Sequence, residues 1–197
     1  VDAACGRIVA SASSAYSRWA EGRWCDPLTQ QFRQHPMDYV ESLEAVLHEV
    51  LAACPDPSAV RAIAVDTTGS TVCMTDESGT PLSLQPQFSG EPDAMFILWK
   101  DHTGTAEAAE FTAAGARHTP NYICQSGNHY SAECTWAKVL HVLRTNPAVR
   151  GAAWGFVDEC DFVTNLLTGC RSFTGMKWGH CIPAAKQLWN KDWGGYP

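Results

Sequence analysis

Long hydrophobic runs are missing from this chain. No segment approaches the ~20 consecutive apolar residues that a membrane-spanning helix needs; the apolar runs, such as Ala94–Trp99, are strand-sized. The opening Val1-Asp2-Ala3-Ala4 lacks the basic start and apolar core of a signal peptide. Positive charge is scarce. Fourteen Lys and Arg against 21 Asp and Glu give a net charge of -7, which repels nucleic acid and anionic lipid. Neither partner is expected. Paired cysteines are also absent. The nine cysteines stand at 5, 25, 54, 73, 124, 134, 160, 170 and 181, with no C-x-x-C spacing. An odd, widely spaced set fits neither a disulfide scaffold nor a structural zinc site. Reduced thiols in a cytoplasmic protein are the expectation, with no bound metal.

What is present is ordinary for a globular domain: 45% apolar and 18% charged residues over 197 positions. That length suffices for one domain with a core, or two small ones. Val1–Ala10 reads as a hairpin cut open, turning at Gly6. The upstream partner strand is expected to be missing. Residues 17–34 show no sustained period and read as a long loop. A helix then starts at Pro36, carries Val40, Leu43, Leu47, Val50 and Leu51 on one stripe, and ends before Pro55 and Pro57. Arg61–Val65 reads as a buried strand running into Asp66–Thr71. Val72–Met74, a turn at Asp76–Gly79 and Pro81–Leu84 read as a second hairpin. Met95–Trp99 is a strand, followed by an Ala/Glu-rich helix to about Ala114. Ser131 suits the start of a helix bearing Trp136, Val139, Leu140 and Leu143. Ala153–Val157 is a strand, Asp161–Leu167 a short helix closed by Gly169, and the tail from Cys181 holds another short helix. Alternating strands and helices with hairpins among them imply an α/β domain with a mixed sheet and flanking helices.

Four segments can carry chemistry, and each has a plainer reading beside it. Asp66-Thr67-Thr68-Gly69-Ser70-Thr71 follows a strand, where ligands gather in open α/β sheets. Its hydroxyls can meet sugar oxygens and Gly69 admits close approach; it can equally be an ordinary turn. No lysine and no P-loop spacing supports a phosphate cradle there. Trp99-Lys100-Asp101-His102 offers a flat aromatic face, a donor and an acceptor, or a surface turn with a local ion pair. Lys186 is either a ligand-facing lysine or a solvated one. Tyr130-Ser131-Ala132-Glu133 offers ligand contacts, or simply a favourable acid near a helix start. The seven histidines form no Ser/His/Asp order that can be argued.

Taken together, several segments resemble the carbohydrate kinases of the FGGY family, and within it the ribulokinase branch. They are Ala64–Thr71, Phe96–Thr103 with its Leu-Trp-Lys-Asp-His-Thr run, Trp136–Val142 and Lys186–Trp189, with Asp26, Gln31–Arg33, His35-Pro36 and Asp38-Tyr39 upstream. The resemblance implies an actin-like, ribonuclease-H-like fold, with residues 1–197 as part of an N-terminal sugar-binding domain, incomplete at both ends. It implies ATP and Mg2+ as cofactors of the full-length enzyme and L-ribulose as the sugar, with an ATP-binding C-terminal domain and the general base lying beyond residue 197. No catalytic residue and no cofactor contact is expected within the chain, and the isolated piece is expected to be inactive. Carried over position by position, the resemblance marks Thr68, Gly69, Trp99, Lys100, Asp101, Tyr130 and Lys186 as substrate-binding. The chain departs from it at Cys134, where the family often has Trp, and at Ala185, where a Gly commonly precedes the lysine. A kinase for another ketose or polyol, or a non-catalytic sugar-binding module, are the alternatives.

Overall fold

The computed structural model describes residues 1–170 and 172–196. In chain order its helices and strands are α1 (Ser17–Ala20), β1 (Cys25–Asp26), β2 (Gln31–Gln34), α2 (Pro36–Ala53), β3 (Val72–Thr75), β4 (Phe96–Ile97), α3 (Thr105–Arg117), α4 (Thr135–Thr145), α5 (Pro147–Ala152), β5 (Gly155–Asp158), α6 (Glu159–Leu167) and α7 (Cys181–Lys186). The strands form one sheet in the order β1-β2-β4-β3-β5.

β3 sits inside the sheet and its four residues are all buried. Its alternation sends Val72 and Met74 to one face and Cys73 to the other, as the two-residue period of a strand requires. Val72 and Met74 pack with Leu82, Ile97, Val139, Val142 and Val149, so α4 and α5 cover that face. Cys73 packs with Tyr39, Phe96, Val157, Phe162 and Val163, which puts α2 and α6 on the other. A satellite core of Ala108, Ile123, Tyr130, Cys134 and Ala137 joins α3 to α4.

The α/β class with flanking helices holds. The mixed sheet is corrected: every pairing among the described strands is antiparallel. The reason lies at Arg61–Val65. That run is expected as a buried strand, yet it has no ladder neighbour among the described residues and Ile63 is 58% exposed. An apolar run without a hydrogen-bonding partner is extended chain, not a strand. Val1–Ala10 behaves alike. Its turn forms, with Gly6 at φ 72 and Asp2 N–H on the Arg7 carbonyl, but no strands follow. The second hairpin shrinks to one bridge, Thr75 with Pro81, because Leu82–Leu84 winds into a 3-10 turn that buries Leu82. The long loop at 17–34 instead holds α1 and the β1–β2 hairpin. α2 starts and stops where Pro36 and Cys54-Pro55 dictate, with the His35 ring accepting from Met37 N–H as its cap.

Candidate functional site

Sheet register builds the site. Val72, the first residue of β3, faces Ile97 on β4 and Asp158 on β5. Both neighbours run antiparallel to β3, so their carboxyl ends emerge beside its entry. Three segments therefore meet at one end of the sheet: Asp66–Thr71 entering β3, Leu98–Lys100 leaving β4, and Asp158-Glu159 leaving β5. The amide of Glu159 closes on the Thr71 carbonyl at 2.9 Å, and Leu98 N–H bonds the Phe32 carbonyl at 3.1 Å.

Between these segments lies a cleft of about 500 Å³, with Tyr39, Thr67, Thr68, Trp99, Lys100 and Glu159 on its wall. Thr68 Oγ1 lies 2.7 Å from Thr71 Oγ1 and donates to the Glu159 carboxylate at 3.0 Å. Trp99 is 45% exposed, leaving an open aromatic surface at the rim. The Lys100 ammonium rests over the rings of Trp19 and Phe32, at 4.8 and 4.5 Å from their centres. Aromatic faces hold that cation at the edge of the cleft. Burial pushes the Glu159 carboxyl up to about 7, against the hydrogen bond from Thr68 that favours its charged form. Burial also raises Asp158, whose Oδ2 accepts from Gln187 at 2.7 Å while Oδ1 has no partner among the described residues.

Of the residues expected from the sequence, Thr68, Trp99 and Lys100 come together on the cleft wall. Gly69 sits beside them, half-buried, and a Cβ there would come within 3.1 Å of Ile182 Cδ1 on α7. The other three expected residues lie off the cleft wall. Asp101 is fully buried beneath it. Its carboxylate accepts from Phe32 N–H and the Arg33 guanidinium, both at 2.7 Å, and from Thr103 N–H and hydroxyl at 3.1 and 2.6 Å. Tyr130 is buried in the satellite core, where its hydroxyl donates to the Lys186 carbonyl at 2.7 Å and accepts from Trp136 N–H at 3.2 Å. Lys186 ends α7 outside the lining, its Nζ without a hydrogen-bond partner among the described residues. α7 is nonetheless braced on the site, because Ile182 approaches Gly69 and Gln187 bonds Asp158.

Glu159 was missed in the sequence. The rule that pointed to the other two segments, polar residues just past an expected strand, also applies after Ala153–Val157, where Asp158-Glu159 follows. The Asp66–Thr71 loop carries no lysine or arginine, and Asp66 and Glu159 face the cleft, with Lys100 the one cation in its lining among the described residues. Hydroxyls, a carboxyl and an open indole suit a small polyhydroxylated molecule.

No family model matches the chain. Among curated proteins, it is 39% identical over 200 aligned positions to a ribulokinase of Vibrio parahaemolyticus, covering 100% of this chain and 35% of that protein. It is 29% identical to a ribulokinase of Bacillus licheniformis, over 83% of this chain and 29% of that protein. A ribulokinase of Geobacillus thermodenitrificans is 30% identical, with 83% and 28% covered. Among solved structures, a xyloylose kinase from Brucella ovis matches with a TM-score of 0.57 and 19% identity, over 72% of this chain and 26% of that one. That likeness shows the fold alone. The chain spans about a third or less of the length of these curated relatives.

Proposed function

We propose, for a chain homologous to ribulokinases along its whole length, that it is the sugar-binding part of an enzyme of the FGGY carbohydrate kinase family. The whole protein would transfer the γ-phosphoryl group of MgATP to the 5-hydroxyl of L-ribulose. The observation that carries this reading is the meeting of Thr68, Trp99 and Glu159 at one end of the sheet, in a cleft of about 500 Å³. A pentulose fits the chemistry of these walls. The Trp99 face takes the apolar side of the carbon chain, and the Thr68 hydroxyl and Glu159 carboxyl exchange hydrogen bonds with its hydroxyls. Lys186 is proposed as a further sugar contact from α7. Asp101 and Tyr130 are proposed to act indirectly, the first under the Trp99 turn and the second by holding the end of α7. ATP, Mg2+ and the general base belong to the rest of the protein in this reading, and the cleft here supplies sugar binding alone.

The test is steady-state ADP release by the intact protein carrying this chain, with MgATP and a panel of L-ribulose, D-xylulose and glycerol. The highest kcat/KM should fall on L-ribulose. A clear preference for another member of the panel would replace the substrate. Saturable sugar binding with no ADP release would make the chain a binding module.

A further inference from the structure

We infer that Lys138 is a positioning residue of the sugar site, a tie that fixes how far apart the two main walls of the cleft stand. This inference rests on the reading of that cleft as a sugar site. Lys138 lies on α4, behind the sheet, and its side chain is completely buried. Its ammonium donates to the carbonyl of Ser70 at 2.7 Å and to that of Leu98 at 2.8 Å. Those carbonyls belong to the two segments that wall the cleft, one residue beyond Gly69 and one residue before Trp99. No other side chain bonds both segments among the described residues.

A cation at this place costs the fold free energy. Burial holds the Lys138 ammonium down to about 7; Asp101, Asp158 and Cys134 pull it up, and the Arg33 cation adds to the lowering. An apolar residue of the same length would fill the space without that cost. What the lysine adds is geometry. Ser70 is held at φ 57, in the left-handed region that side chains rarely adopt, and its hydroxyl is buried without a partner among the described residues. The bond to its carbonyl offsets the strain of that conformation and points the preceding Thr68-Gly69 segment at the cleft. Leu98 shares its carbonyl between Lys138 and the amide of Asp101, so the turn that presents Trp99 and Lys100 is pinned from two sides.

The experiment compares Lys138→Met, Lys138→Arg and the exposed control Lys177→Ala in this chain. L-ribulose affinity is read by calorimetry, local opening by amide hydrogen exchange. At pH 6, where the ammonium is charged, loss of the two bonds that hold the walls should weaken L-ribulose binding about 10- to 100-fold in Lys138→Met. Exchange should rise at Thr67–Thr71 and Leu98–Lys100 ahead of the rest of the sheet. Lys138→Arg should recover part of both, and Lys177→Ala should change neither. A lower melting temperature with unchanged affinity and uniformly faster exchange would overturn the inference, since that is what a merely structural lysine produces. If the unaltered chain binds no L-ribulose, the sugar reading fails separately and the exchange pattern alone decides the role of Lys138. If Lys138→Met does not fold, the unaltered chain decides. The carbonyl carbon resonances of Ser70 and Leu98 should titrate together with the Lys138 Nζ resonance, and independent titration overturns the tie.

Discussion

Replacing Glu159 by Gln should flatten the acid side of the stability profile. Glu159 is 6% exposed, and its carboxyl is displaced from 4.5 to about 7 mainly by burial. The folded chain therefore holds this proton more tightly than the unfolded chain does. Its contribution to stability is complete below about pH 4.5 and disappears as pH rises through about 7. A displacement of that size corresponds to about 3 kcal/mol, and the N-terminus of α6, which favours a charged carboxylate by ~0.3–1 kcal/mol, makes this an upper figure. Between pH 5 and 7.5 about 2.4 kcal/mol of this is lost, in a chain of this size a fall of roughly 5 to 10 °C in melting temperature. Asp158 and Asp161 are also raised by burial and add a slope of the same sign, so the readout is the difference between Glu159→Gln and the unaltered chain. Gln keeps the size and an acceptor for Thr68 but cannot ionise. Thermal melts across pH 5 to 7.5 should show a clearly smaller fall in the variant. Parallel profiles would mean that Glu159 is ionised and solvated in the folded chain, and the description of the cleft wall would be wrong.

Other expectations follow from single contacts. Asp101→Ala leaves the Arg33 guanidinium, itself 1% exposed, facing Asp93 and Thr103 alone, and should cost about 3–5 kcal/mol in urea unfolding; a loss below about 1 kcal/mol contradicts the buried pair. All nine cysteines are free, so titration of denatured, oxidant-protected chain should find nine reactive thiols. In the native chain, exposed Cys5, Cys124 and Cys181 should react first and Cys73, whose thiol burial raises strongly, last. Lys186→Ala should weaken sugar use roughly 10- to 100-fold in kcat/KM if its ammonium meets the ligand, with Lys177→Ala within about twofold. Equal effects of the two would remove Lys186 from the site.

The sequence was most legible where local signals and tertiary packing agree. Pro36 and Pro55 bracket α2, Phe96-Ile97 lies in an apolar run too short for a helix, and Gly169 closes α6 at φ 70. It misled where a segment needs a neighbour that periodicity cannot supply. Arg61–Val65 has strand composition but no ladder partner, and Pro81–Leu84 gives up pairing to bury Leu82. The site divides along the same line. Trp99 and Lys100 follow from their place at the end of the Met95–Trp99 run, whereas Thr68 reaches the cleft on the segment that enters β3 and not past the expected Arg61–Val65 strand. The burial of Asp101 depends on Arg33, 68 positions away, and nothing near Asp101 announces that partner. Lys138 stood within the Trp136–Val142 segment of the resemblance without a role, since only the fold brings Ser70 and Leu98 to its ammonium.

L-ribulose is proposed to occupy the cleft at the end of the sheet. The most direct measurement is an amide-resolved nuclear magnetic resonance titration of this chain with L-ribulose, repeated with Trp99→Ala. Saturable shifts should be confined to Thr67–Thr71, Leu98–Lys100 and Glu159, with weaker binding in Trp99→Ala. Shifts that cluster elsewhere, or that are the same without the Trp99 indole, would contradict it.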